Sequence, residues 1–353
     1  VPDGGPRGVG HPGRRRGALL ARPGQHDLGA GDPAQRVDDP VATSTTALAA
    51  CRAAGDVRGE GIMLTSLGQP ALVASRAGRV SGLADLDRAV ALLAESGDGH
   101  GRAIALRTLA SALRRRGQLT RPLQLFEEAL AGYQAAGDTV GEWQALRLIG
   151  QAHLDRGEHH LARARLQEAL EVAMGVDDPR LRAQTWYWAG LAGLAVGDLK
   201  GAEPAFSALR GVFPRPPELG HAYALHGQAE LARQNREPEV ASSFLAVAAR
   251  LADQADATLK GRIYLSEALL HEAAGQAALQ LRVLEQAVAC FDGGAAAYQV
   301  QALDDLARAR AGYGDYPAAQ AARDQADKHY EAMALPEEDR AYRHRPSWPG
   351  SAG

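Results

Sequence analysis

Apolar residues along this chain recur at helical spacing, stop, and resume on a fixed beat. Between Trp143 and Leu170, the residues Leu146, Ile149, Gly150 and His153 fall at i, i+3, i+4 and i+7 and so share one helical face. Gly157 follows where a helix needs a left-handed residue to stop, and Ala162, Leu166, Ala169 and Leu170 then define a second apolar face. The unit is a helical hairpin. It recurs, because the second-helix residues Leu86, Phe126, Leu166, Phe206, Phe244 and Leu284 are separated by 40, 40, 40, 38 and 40 positions. Gly117, Gly157, Gly197, Gly275 and Gly314 keep the same beat, with Asn235 filling the one gap as the next most tolerant left-handed residue.

One such hairpin cannot bury its own stripe, so neighbours must stack. The pattern predicts an all-α, right-handed superhelical solenoid of about seven hairpins with a ~40-residue period over 41–335. Half a unit begins near Thr43. The first full pair carries Pro70 in a first helix expected to be about three residues longer than its successors and kinked there. The segment from Pro214 to Glu218 interrupts the beat and predicts a break near 214–218. In the last pair Arg323 replaces the apolar knob, as a terminal cap requires.

The flanks are different. Residues 1–40 hold nine Gly and six Pro and almost no periodic apolar positions, which predicts a disordered leader or a mis-assigned coding start. Residues 336–353 read as a disordered tail. The formal net charge of −3 gives no global attraction to nucleic acid or to an anionic membrane. Lys200, Lys260 and Lys328 are the only lysines among 39 basic residues, so an arginine here is ordinary usage before it is a signal. Cys51 and Cys290 lie on different units and read as two buried thiols in a reducing cytoplasm. Neither an 18-residue apolar run nor a signal peptide is visible, and the expected location is cytoplasmic.

The unit resembles the tetratricopeptide repeat. That family's aromatic or aliphatic residue, Leu-Gly pair, Tyr-like residue, Ala, Phe-like residue and Ala fall on Leu146, Ile149-Gly150, His153, Ala162, Leu166 and Ala169. The following unit uses Trp186, Ala189-Gly190, Gly193, Ala202, Phe206 and Leu209. A narrower resemblance is carried by GQPALVASRAGRVSGLADLDRAV, GRAIALRTLASALRRRGQLTRPLQLFEEAL and LIGQAHLDRG. These are similar to the C-terminal repeat region of actinobacterial AfsR/SARP-like transcription regulators. The resemblance implies the sensor region of such a regulator, without its winged-helix DNA-binding and nucleotide-binding domains. No phosphate-cradling G-x-x-x-x-G-K-[ST] occurs.

In a tetratricopeptide-like array the first helix of each pair lines a concave groove. The candidate partner-binding residues there are Arg107, Ser111, Arg114, Arg115, Gln144, Arg147, Gln151 and Tyr187. Stacking would align Arg107, Arg147 and Tyr187 in one row, able to hold carboxylates or phosphates bidentately beside an aromatic platform. The same arginines also fit a solvated face. Glu158, His159 and His160 lack a further ligand one turn on and read as a solvated helix end. Trp186, Tyr187 and Trp188 are consecutive and point in three directions, so they cannot form one aromatic cage.

Catalysis needs a nucleophile, a base and an orienting group together. No Ser/His/Asp or Cys/His set is expected from the repeat geometry, so the chain reads as non-enzymatic, with no cofactor and no metal. The expected partner is an acidic protein or peptide, with no membrane and nucleic acid only indirectly. The alternatives are a peptide or small-ligand receptor using the groove, or direct DNA binding through Arg14–Arg16 and Arg114–Arg116.

Overall fold

A computed structural model describes residues 40–73, 81–213, 219–252, 256–292 and 295–340. Sixteen α-helices make up those residues, and no strand is found among them. A single helix, α1 (Pro40–Ala54), precedes seven hairpins. These are α2 (Val57–Val73) with α3 (Ser81–Glu95), α4 (Gly99–Arg115) with α5 (Thr120–Ala136), and α6 (Thr139–Asp155) with α7 (His159–Met174). Next come α8 (Pro179–Ala195) with α9 (Leu199–Val212), α10 (Leu219–Gln234) with α11 (Pro238–Ala252), and α12 (Ala257–Ala273) with α13 (Ala277–Phe291). The series ends with α14 (Ala296–Gly312) and α15 (Tyr316–Ala332), followed by one turn, α16 (Glu337–Arg340). Each helix packs on its hairpin partner and on the next hairpin, and first helices from α2 to α12 also touch across neighbouring units. This is a tetratricopeptide-like solenoid.

Local chemistry sets the ends of the helices. Asp98, Asp138 and Asp198 accept from the backbone N–H of Gly101, Gly141 and Gly201, capping α4, α6 and α9. Gly117, Gly157, Gly197, Gly275 and Gly314 all sit at positive φ, between 67° and 84°, where a Cβ would clash with the backbone. In several hairpins a large second-helix side chain fills the space left by a first-helix glycine. Leu166 is fully buried, and a Cβ on Gly150 would come within 2.5 Å of its Cγ. Phe206 does this twice, lying against Gly190 in its own hairpin and Gly227 in the next.

The beat changes by one residue where the sequence placed a 38-residue step. Leu245, not Phe244, is the buried knob of α11, and Phe244 is only partly covered. Arg236, not Asn235, takes the left-handed conformation after α10, at φ 64°. The two shifts agree with each other and make both adjoining steps 39 residues. Packing chose the register, at the cost of a Cβ in a left-handed residue.

Helix α2 is described over Val57–Val73 and runs through Pro70, and the residues that bear on its extra length, 74–80, lie outside the described residues. Residues 337–340, at the start of the expected tail, form the short helix α16, in which Asp339 is buried. The predicted leader and the break at 214–218 lie outside the described residues.

Candidate partner-binding groove

The first helices present their inner faces to one another, and α4 and α6 carry most of the expected site. Arg114 of α4 donates from Nε to Asp155 Oδ2 at 2.6 Å and from Nη1 to Gln151 Oε1 at 3.1 Å, joining two hairpins. Arg107, two turns earlier, donates to the buried Tyr133 hydroxyl at 3.0 Å, and Ser111 returns its hydroxyl to the Arg107 carbonyl at 2.8 Å. Arg115 lies beside Arg114 and in electrostatic reach of Asp256, and burial lowers its pKa. Gln144 is partly buried, one turn before Arg147.

Arg147 is the exception in this group. Its guanidinium stacks over Trp143 at 5.1 Å, yet its Nε is buried without a hydrogen-bond partner. Burial, then Arg114 and Arg107, pull its pKa from 12.5 to about 10. Gln151 Nε2 beside it is also buried and unpartnered. Two unsatisfied donors thus lie together under a surplus of positive charge.

Tyr187 departs from its expected place. Rather than facing the groove beside Arg147, it is 2% exposed and belongs to a second, aromatic cluster. Its ring meets Trp188 at 5.1 Å and Tyr223 at 4.7 Å, both edge-on. Trp188 and its neighbour Tyr187 therefore meet in one aromatic cluster, contrary to the expectation that consecutive rings diverge, with Tyr223 and Tyr298 supplied by other hairpins. At its centre Arg262 of α12 is 4% exposed, its guanidinium 4.6 Å from the Trp188 ring and 4.7 Å from the Tyr298 ring. Burial opposes that cation, but Tyr298, Tyr187, Tyr223 and Asp155 outweigh it and raise its pKa.

A Ser/His pairing exists, with a tyrosine and not an aspartate as its third member. His226 Nε2 lies 3.3 Å from Ser266 Oγ, and His226 Nδ1 lies 3.1 Å from the Tyr187 hydroxyl. The hairpin period does bring them together, one residue from each of three successive units. All three are buried, and desolvation holds the imidazole down at about 4. The set is a core network closed to a substrate. Among the described residues no three metal-ligating side chains converge.

The two clusters join through Asp155. Its Oδ1 accepts from the hydroxyl of Tyr298 of α14 at 3.3 Å while Oδ2 holds Arg114, and the Tyr298 hydroxyl also takes a bond from Arg262. Hairpins distant in sequence thus meet across the inner face. Sequence reasoning missed Asp155, Tyr223, His226, Arg262, Ser266 and Tyr298. His226 and Ser266 were within reach of the period, since His226 follows Tyr187 by 39 positions and Ser266 follows His226 by 40. Tyr298 carried no such signal.

The tetratricopeptide repeat family model matches residues 102–175. No curated protein matches the chain in sequence. Among solved structures, a Rap protein complexed with competence and sporulation factor is 16% identical, with a TM-score of 0.60 over 78% of this chain and 77% of that one. The apo quorum sensor NprR from B. thuringiensis is 15% identical, with a TM-score of 0.55 over 83% and 82%. A Rap conjugation gene regulator in complex with a Phr peptide is 14% identical, with a TM-score of 0.56 over 78% and 76%. At these identities the likeness establishes the fold, which is tetratricopeptide-like. No helix among the described residues is long and apolar enough to cross a membrane.

Proposed function

We propose that this chain is a regulatory scaffold that binds an acidic peptide or protein segment on the inner face of its first helices. The observation that carries this is Arg147: a half-buried side chain whose Nε is buried and unpartnered, pressed by two further arginines. Leaving such a donor unsatisfied is costly, and a carboxylate would satisfy it bidentately. Arg107 and Arg114 surround the position, and Gln151 offers a further donor. Two structures of the same fold are described as complexes, one with a competence and sporulation factor and one with a Phr peptide, which supports a peptide-sized occupant. The finer reading, taken from the sequence resemblance, is the sensor region of an AfsR/SARP-like transcription regulator.

The test is a fluorescence-anisotropy titration of the whole chain with labelled hexaglutamate and hexalysine peptides, repeated for Arg147→Met. Selective hexaglutamate binding, weakened tenfold or more by the substitution, is the expected result. Equal binding of both peptides, or an Arg147→Met protein that binds as the parent does, rejects the groove as the site.

A further inference from the structure

The inner face is not open. Tyr298 reaches Asp155 across it, and a second contact closes the array at its edge. Helix α5 begins after Leu119, which supplies no side-chain cap. The missing cap comes from Asp339, 219 residues away, whose Oδ1 accepts from the Thr120 N–H at 2.9 Å and the Thr120 hydroxyl at 2.7 Å. Asp339 is 1% exposed. Met333 packs beside it against Gly117, occupying the space a side chain there would need. Helix α16 is held in turn by Arg340, which donates to the Leu335 carbonyl at 3.2 Å, and by the Tyr330 hydroxyl on the Arg340 carbonyl.

We propose that Tyr298 and Asp339 form a reversible latch that closes the array over the groove, and that an acidic ligand opens it. This rests on the groove reading above for the ligand. Successive hairpins are joined by continuous buried stripes, whereas the closure rests on the polar contacts of Tyr298 and Asp339 and on the Met333 side chain against Gly117. It is therefore the joint that parts first. The coupling runs through Asp155. A ligand carboxylate that takes Arg114 and Arg147 strips Asp155 of its guanidinium and sets two anions side by side. Asp155 must move, and Tyr298 loses its acceptor. By linkage, whatever opens the latch raises affinity for the ligand by the same factor.

The test is hydrogen exchange at the Thr120 amide of the full chain, with and without hexaglutamate peptide. In the parent that amide is protected. Asp339→Ala should speed its exchange about tenfold and bind hexaglutamate about fivefold more tightly. Tyr298→Phe touches neither Thr120 nor Asp339 and keeps the ring stacked on Phe291, so it tests whether the two contacts act as one. It should also speed Thr120 exchange, while amides of α10 and α11 stay as in the parent. An unprotected Thr120 amide in the parent, or a Tyr298→Phe protein with unchanged exchange, overturns the latch. Hexaglutamate that binds without speeding Thr120 exchange overturns its coupling to the groove. If hexaglutamate binds no variant, the acidic-ligand reading falls, and the exchange response to Tyr298→Phe alone decides whether the closure is a latch.

Discussion

Replacing Arg147 by methionine should make this protein more stable. The methionine stem fills nearly the same volume against Trp143 and brings no charge. A pKa moved from 12.5 to about 10 corresponds to about 3 kcal/mol working against the buried cation. Residual solvent contact and the stacking on Trp143 offset part of that, each worth about 1 kcal/mol or less. A net gain of about 1–2 kcal/mol remains for Arg147→Met. Urea denaturation at pH 7.5 measures it, as a higher midpoint with an unchanged slope. Hexaglutamate binding should fall in the same protein, because a residue that costs stability in the free chain is retained for what it holds. A midpoint that drops by 1 kcal/mol or more would show that Arg147 is satisfied in the folded state, and the reasoning from its unpartnered Nε would be wrong.

Other outcomes follow from the packing. Leu166→Ala opens a cavity beneath Gly150 and should cost roughly 2–5 kcal/mol, read as an earlier and less cooperative thermal transition; an unchanged midpoint rejects the register. Gly190→Ala places a Cβ 2.5 Å from Phe206 Cε1 and should cost about 1–3 kcal/mol. Adding Phe206→Leu should recover part of that loss, and strictly additive effects would show that the two do not touch. His226 titrates at about 4 when folded against 6.5 when unfolded, so the folded state binds fewer protons between those values. Its contribution is complete above pH 6.5 and is lost as pH falls toward 4, by about 3 kcal/mol. His226→Gln should flatten that part of the stability profile; an unaltered slope would place the acid sensitivity elsewhere.

The helices, their hairpin pairing and their number were legible in the sequence. Helical periodicity, glycine stops and aspartate caps are local signals, and a repeating local unit with one apolar stripe on each helix has few ways to stack. Leu166, Phe206 and Gly157 could therefore be assigned from the chain alone. Where a signal weakened, as at Asn235 and Phe244, the choice between adjacent residues passed to packing. Buried volume around Leu245 settled the register by one step. What the inner face does with its charges depended on curvature. Whether Arg114 finds Asp155, whether Tyr187 faces the groove or the core, and whether Tyr298 and Asp339 meet residues 143 and 219 positions away all depend on small rotations between hairpins. Those rotations add up over seven units, and no single unit encodes their sum. The repeat fixes each hairpin by short-range packing, whereas the groove and its closure exist only in the accumulated geometry.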